Sequence, residues 1–460
     1  MMPKHSIPAT VIRRRLYAAA VCIAALIPQA GHAQTVDELL DLVRRQSQEI
    51  EALKARVESL EERQSPPAVA AATGAATLAQ PTDPVVTWKG APVITSADGA
   101  FSFKPRGRVH ADAWALSSRR EGVDYASGTE LRRARLGADG MLYHDFLYSI
   151  EVDFAGRNIG LEDVIVAYTG LPGATITLGY HKSPNTLEDL TSDNYVTFME
   201  RAAYAATLSP GRGIGASVRL SRERWMITAG IFGEAENDSR DGKVDEDWVV
   251  GARATAAPVL GKDEMVHVGV SGYYLNAAAD ESRFRLNSRP EFHLGTPLVD
   301  TGTLNVADAA FVGAETAAVW GPFHAAAEWG WQWASLRAGG TAVFNGGYAQ
   351  AGWFLTGERR PYNAGSGTFG RLQPASPLSD GGPGAFEVAA RYSRLDFNDS
   401  LVMGGDMTSW TLGINWYPTA YTRLMLNWVR FKANDSLAAL PLDVADHKGD
   451  AFGMRAQIDW

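Results

Sequence analysis

Nine basic residues in this sequence are of a type and spacing that can bind an anion. Arg133 and Arg135 alternate with Ala134 and Leu136, so on an extended strand both guanidinium groups leave from the face that also carries Asp139. Arg106, Arg108, Arg219 and Arg455 occupy the same kind of polar face in their own alternating segments. Lys182 stands at the edge of a long polar link over 183–212, which holds Arg201 and Arg212 together with Glu188, Asp189, Asp193 and Glu200. Guanidinium stays charged and matches phosphate oxygens two at a time, so ladders of Arg and Lys select anions wherever they line a passage. A second reading stays open. Asp112, Asp139, Glu151, Asp153 and Asp459 share these polar faces, and arginines facing them would pair with acids across the interior.

Enzyme chemistry has no comparable constellation. The nine histidines include His5 and His32, which fall in a segment expected to be removed. No HExxH, P-loop, or GxSxG between a strand and a helix occurs. Glu387 and the Glu200/Arg201 pair read as structural or interior charges. The one cysteine, Cys22, excludes a disulfide scaffold. We therefore expect no enzyme, no metal and no cofactor. The net charge of −9 argues against a nucleic-acid partner.

The elements that position these residues are strands. Phe146, Tyr148, Ile150, Val152 and Phe154 alternate with Ser149, Glu151 and Asp153. Phe452, Met454, Ala456, Ile458 and Trp460 alternate with Arg455, Gln457 and Asp459, and 101–112 and 214–221 repeat the pattern. A soluble sandwich also alternates, but repeated segments of about ten residues with aromatic ends mark a transmembrane barrel. The aromatic positions are Tyr143, Tyr168, Tyr180, Trp225, Trp248, Trp353, Trp416, Tyr417 and Trp460.

Strands are expected near 100–116, 131–143, 146–155, 161–170, 174–182, 213–221, 224–234, 247–257, 265–276, 309–320, 323–334, 342–356, 385–396, 407–417, 421–432 and 451–460. These sixteen give an even count with both barrel ends on the periplasmic side, provided that 283–294 is left in a loop. Long extracellular links then fall at 235–246, 277–307, 398–406 and 433–449, and 357–383 becomes an unusually long periplasmic link. The 183–212 link is long enough to fold inward and narrow a pore.

The N-terminal region reads differently. Lys4, His5 and Arg13-Arg14-Arg15 precede an apolar run from Leu16 to Ile27, too short to span a bilayer, and Gly31-His32-Ala33 offers a cleavage site. Residues 1–33 are thus expected to be a cleavable signal peptide, which would take Cys22 with it. From Val36 a heptad repeat follows, with Val36, Val43, Ile50 and Val57 at a and Leu39, Gln46, Leu53 and Leu60 at d. Residues 34–64 are therefore read as a coiled coil for oligomerisation, 65–99 as a Pro/Ala-rich linker, and 100–460 as the barrel. β-Branched a with Leu at d favours two strands.

Several long motifs resemble the phosphate-selective porin O/P family. They are Leu131–Gly137, Tyr148–Gly156, Leu161-Glu162-Asp163, Gly179–Pro184, Phe198–Arg201, Pro210–Gly215, Leu355–Tyr362, Phe369–Arg371 and Glu387–Ser393. The resemblance covers most of 100–460. It implies a 16-stranded antiparallel β-barrel, trimeric, in the outer membrane of a Gram-negative cell, that passes small anions such as phosphate through an arginine-lined channel. It places Arg201 and Arg212 at the constriction, and its trimer takes precedence over the two-stranded heptad preference. A general diffusion porin of the same fold is the alternative. A structural outer-membrane anchor with a periplasmic coiled coil is the alternative from another class.

Overall fold

The computed structural model describes residues 83–118, 127–156, 158–233, 247–278, 284–295, 297–434 and 446–460. The expected signal peptide, the heptads and the first part of the linker lie outside the described residues. Within the stretch expected as linker, Val85–Trp88 and Pro92–Thr95 form a hairpin, and its second strand pairs with the start of the barrel at Ile94–Phe103 and Thr95–Ser102. Val-Val-Thr-Trp is strand-forming, and Gly90 takes the positive φ (+75°) that the turn requires.

Sixteen antiparallel strands make the barrel. They are β1 (Ser102–Ser118), β2 (Gly128–Leu142), β3 (Phe146–Asp153), β4 (Gly160–Tyr168), β5 (Ala174–Lys182), β6 (Arg212–Ser221), β7 (Trp225–Gly233), β8 (Trp248–Leu260), β9 (Glu264–Asn276), β10 (Val306–Trp320), β11 (Phe323–Leu336), β12 (Thr341–Phe354), β13 (Ala385–Asn398), β14 (Met403–Thr419), β15 (Thr422–Asn434) and β16 (His447–Asp459). Each pairs with its chain neighbours, and β16 returns to β1 from Gly449–Ser118 to Asp459–Arg108, so the sheet closes without an edge. Each expected strand is present. The 283–294 segment remains outside the barrel sheet; in its link Asn287–Ser288 pairs with Val299–Asp300, and Phe284 bridges Leu304.

The faces are those of a barrel in lipid. On β16, Phe452, Met454 and Ile458 are exposed on the outside, whereas Arg455, Gln457 and Asp459 are buried inside. Aromatic pairs sit outside at the end that carries the barrel termini: Phe146 with Tyr168 (centroids 5.1 Å), Phe323 with Trp353 (5.4 Å) and Phe386 with Trp416 (6.0 Å). Trp248 and Tyr274 meet at the opposite end (6.0 Å). One of the expected belt residues turns inward instead: the Tyr417 hydroxyl donates to Glu387 (2.7 Å).

One register irregularity matters for the interior. His110 opposes Arg133 and Ala111 opposes Leu131, so Arg132 is an extra residue in β2, a β-bulge. Strict alternation would send Arg132 outward; the bulge lets both Arg132 and Arg133 reach the lumen. The wall is also uneven. Strands β3 to β7 have 8 to 10 residues. The neighbouring β1 and β2 have 17 and 15.

Candidate functional site

Residues 183–211 leave β5 and rejoin the wall at β6, and between these points they touch strands all round the barrel. The Leu187 and Glu188 amides donate to Glu328 on β11 (3.0 and 2.8 Å). Arg423 on β15 donates to the Val196 and Thr197 carbonyls (2.6 and 2.7 Å). Arg132 on β2 donates to Glu200 (2.9 Å), and Arg455 on β16 donates to the Met199 carbonyl. Only a segment lying inside the barrel reaches β2, β11, β15 and β16 at once. The link therefore folds inward. Its two short helices, α1 (Leu187–Leu190) and α2 (Ala203–Thr207), bury Leu187, Tyr204 and Ala205 against the wall. Pro210 and Gly211 (φ +77°) turn the chain back into β6.

The loop carries its carboxylates to the arginines. Asp193 lies 2.9 Å from Arg133 Nε, 3.4 Å from Arg135 and 3.9 Å from Arg108, and it contacts Arg201 from within its own loop. Arg135 also meets Asp153 (2.7 Å), Glu151 (3.6 Å) and Glu162. Arg106 reaches Asp139 (2.9 Å) and Glu151 (3.1 Å). Arg212 holds Glu162 (2.7 Å) and Asp163 (3.0 Å). Six guanidinium groups and six carboxylates thus form one continuous network. Arg455 pairs separately with Asp112 (2.7 Å) and Glu200 (2.8 Å), and Lys182 with Asp189 (2.7 Å). Arg219, half-buried on β6 opposite Thr175 and Thr228, has no ion pair among the described residues.

The acids named from sequence as competing partners are all engaged: Asp112, Asp139, Glu151 and Asp153 as above, and Asp459 with Arg371. Burial pushes the Asp193 carboxyl up, but Arg133, Arg201, Arg135 and Lys182 outweigh it and hold it well below the usual carboxylate range. Glu200 behaves alike: burial is overcome by Arg132, Arg455 and Arg133, and its value falls. Glu188 goes the other way, raised by burial that Arg391 only partly offsets. Arg201 is raised, because Asp193 and Asp189 outweigh its burial.

On β2, β4 and β6, Asp139, Asp163 and Arg212 keep contact with solvent, at 40%, 35% and 20% exposure, whereas Arg133, Arg135, Glu151 and Ser217 on β2, β3 and β6 are buried. Across the barrel, Arg253, Arg391 and Arg423 are buried under the inserted chain. Of the nine basic candidates, Arg106, Lys182, Arg201, Arg212 and Arg219 keep partial exposure, Arg108, Arg133 and Arg135 are buried, and Arg455 is fully buried against the loop backbone.

Two further links enter the interior. The first, described over 284–295 and 297–305, places Phe292 beside Trp114 and Phe431 (5.9 and 5.6 Å) and His293 against Glu130 on β2 (2.6 Å). The long link after β12 comes from the end carrying the termini. Its Arg360 lies over the Phe369 ring (3.6 Å) and donates to the Tyr195 carbonyl (3.2 Å). Its Arg371 sits over the Tyr421 ring (4.4 Å) and near that of Tyr195 (5.3 Å). This link props the tip of the first inward loop from below.

Sequence reasoning named the loop acids but not their partners on the wall. It missed Arg132, which the bulge conceals, and Arg253, Arg391 and Arg423. The last three sit on alternating faces of β8, β13 and β15, and the same period-2 reading applied to those segments finds them.

A family model for the phosphate-selective porin O and P matches residues 103–460. The chain belongs to this family. Porin O of Pseudomonas aeruginosa is 28% identical, with 82% of this porin and 92% of Porin O aligned. An uncharacterized protein of Caulobacter vibrioides is 32% identical, with 97% and 95% aligned. OmpT, an outer membrane protein of Vibrio cholerae, shares the fold at TM-score 0.51 and 12% identity, over 78% of this porin and 98% of OmpT. So does an anion-selective porin from Comamonas acidovorans at TM-score 0.50 and 14% identity, over 78% of this porin and all of that chain (100%). The molecule is an outer-membrane porin. The first two inward loops enter from the barrel end opposite the barrel termini, and the third from the end that carries them.

Proposed function

We propose that this porin passes small hydrophilic anions, of the phosphate class, by diffusion along the β2–β6 side of its lumen. The observation that carries the reading is the convergence of Arg108, Arg133, Arg135 and Arg201 on the single carboxylate of Asp193. Four positive groups around one negative group make a local field that draws anions, while the neighbouring acids keep the cluster from binding them too tightly to release. Arg106, Arg201, Arg212 and Lys182 present their edges to the solute, and Arg219 offers an uncompensated charge on the way to the periplasm. Passage needs no cofactor and no metal.

A second reading, a general diffusion porin without phosphate preference, is favoured by the one-to-one balance of guanidinium groups and carboxylates. The two part on phosphate block of chloride current in planar bilayers. Block that is lost in Arg201→Ala supports the anion reading; equal currents with and without phosphate support the general one. A barrel that never conducts would leave the structural anchor.

The remaining parts fit this role. Residues 1–33 act as the export signal, so the mature protein begins at Gln34, and N-terminal sequencing reads that directly. Residues 34–64 form the stalk of a homotrimer. Deleting 35–86 then lowers the melting temperature of the trimer, and an unchanged melting curve discards the stalk.

A further inference from the structure

Glu291 stands out among the interior carboxylates. It is a non-glycine residue at φ +59°, in the left-handed region that favours glycine. A bulky residue held there is kept by its surroundings. Those surroundings are four donors. Arg391 on β13 reaches Glu291 Oε2 through Nε (3.0 Å) and Nη2 (2.6 Å). Thr411 on β14 donates to the same oxygen (2.8 Å). Ser393 and the Ala203 amide (3.3 Å) donate to Oε1. The side chain is fully buried.

These contacts join three parts of the porin. Glu291 belongs to the 277–305 loop, Ala203 to the 183–211 loop, and the other partners to the wall. Arg391 completes the tie: it also holds Glu188 (3.1 Å) and the Glu200 carbonyl (2.9 Å), with Phe198 beneath it (4.6 Å). The two inward loops are thereby joined to each other and to β13 and β14.

We propose that Glu291 is a positioning residue that sets the bore of the channel. By pinning both inward loops to the β13–β14 wall, it determines how much of the lumen they fill and so the width left for a solute. A carboxylate is needed because Arg391, Ser393, Thr411 and the Ala203 amide are all donors. This rests on the channel reading, which the wild-type current tests by itself.

The test is Glu291→Gln in the full-length porin, which keeps the size of the side chain but turns an amide toward Arg391. Circular dichroism and heat-modifiable gel migration verify that the barrel is folded. The expected result is a single-channel conductance raised by at least ~2-fold, with a larger solute limit in liposome swelling, because bore governs both. A merely structural contact would lower the melting temperature and leave the solute limit in place. Unchanged conductance and solute limit in a folded variant would overturn the proposal. If Glu291→Gln does not yield a folded barrel, Arg391→Lys decides: it keeps the charge but loses the fork, and it too must widen the solute limit. Absence of any wild-type current would instead refute the channel.

Discussion

Asp193 lies 2.9 Å from Arg133 Nε, so the inward loop carries its own carboxylate into the arginine cluster on the wall. The position an anion would take between Arg133, Arg135 and Arg201 is held by a side chain of the protein. Selectivity then depends on how readily a passing anion competes with that side chain for guanidinium N–H groups.

Replacing Asp193 with Asn removes one negative charge and leaves the network with a positive excess. Phosphate block should tighten by roughly tenfold, about 1.4 kcal/mol, a modest part of a unit charge's effect at this range in a partly wet site. The barrel should also melt earlier, because buried cations lose their partner. Titrating phosphate into chloride currents of the two proteins measures the first effect. Equal block in both would mean that Asp193 does not govern the anion path.

Acid should loosen the same loop. Asp193 and Glu200 have folded-state values below the usual carboxylate range, so each contributes stability that is fully present above about pH 4 and lost as the pH falls through its lowered value. Glu188 has a raised value, so its ionisation removes stability as the pH climbs from the ordinary range through that value. Melting temperature followed against pH should therefore fall steeply on the acid side below about pH 4. The fall should be smaller in Asp193→Asn, which has one group fewer to protonate. Parallel curves for the two proteins would contradict the assignment.

The basic residues should divide into two classes. Arg212→Ala and Arg106→Ala change side chains that border the open lumen, and should shift the reversal potential toward cations with little loss of stability. Arg455→Ala removes a fully buried group tied to Asp112, Glu200 and the Met199 carbonyl, and should cost roughly 3–5 kcal/mol while disordering the loop. Reversal potentials and thermal melts on the three variants separate these classes. A pure selectivity change in Arg455→Ala, at wild-type stability, would go against the division.

Arg132 shows where sequence reading reaches its limit. The strand pattern was legible because each barrel residue faces either lipid or lumen, so the period-2 signal in segments such as 146–154 and 451–460 survives in every strand. A bulge shifts that parity without any mark in composition, so alternation counted back from Ala134 does not bring Arg132 into the lumen. The 183–212 link was recognisable as a loop long enough to enter the pore, with its charges named. Its path was not recognisable, because the contacts from Asp193 to Arg133 and from Glu188 to Arg391 join residues far apart in the chain. The link after β12 betrayed itself by its length on the periplasmic side, where turns are short. Its place under Tyr195 follows from Arg360 and Arg371, whose partners belong to distant segments.

The measurement that bears most directly on the account is the reversal potential of the wild-type porin in planar bilayers under a potassium chloride gradient, followed by added phosphate. The account predicts a reversal on the anion side and a chloride current that phosphate blocks at millimolar or lower concentration. A reversal near zero or on the cation side, with a current indifferent to phosphate, would contradict it and leave a general diffusion porin of the same fold.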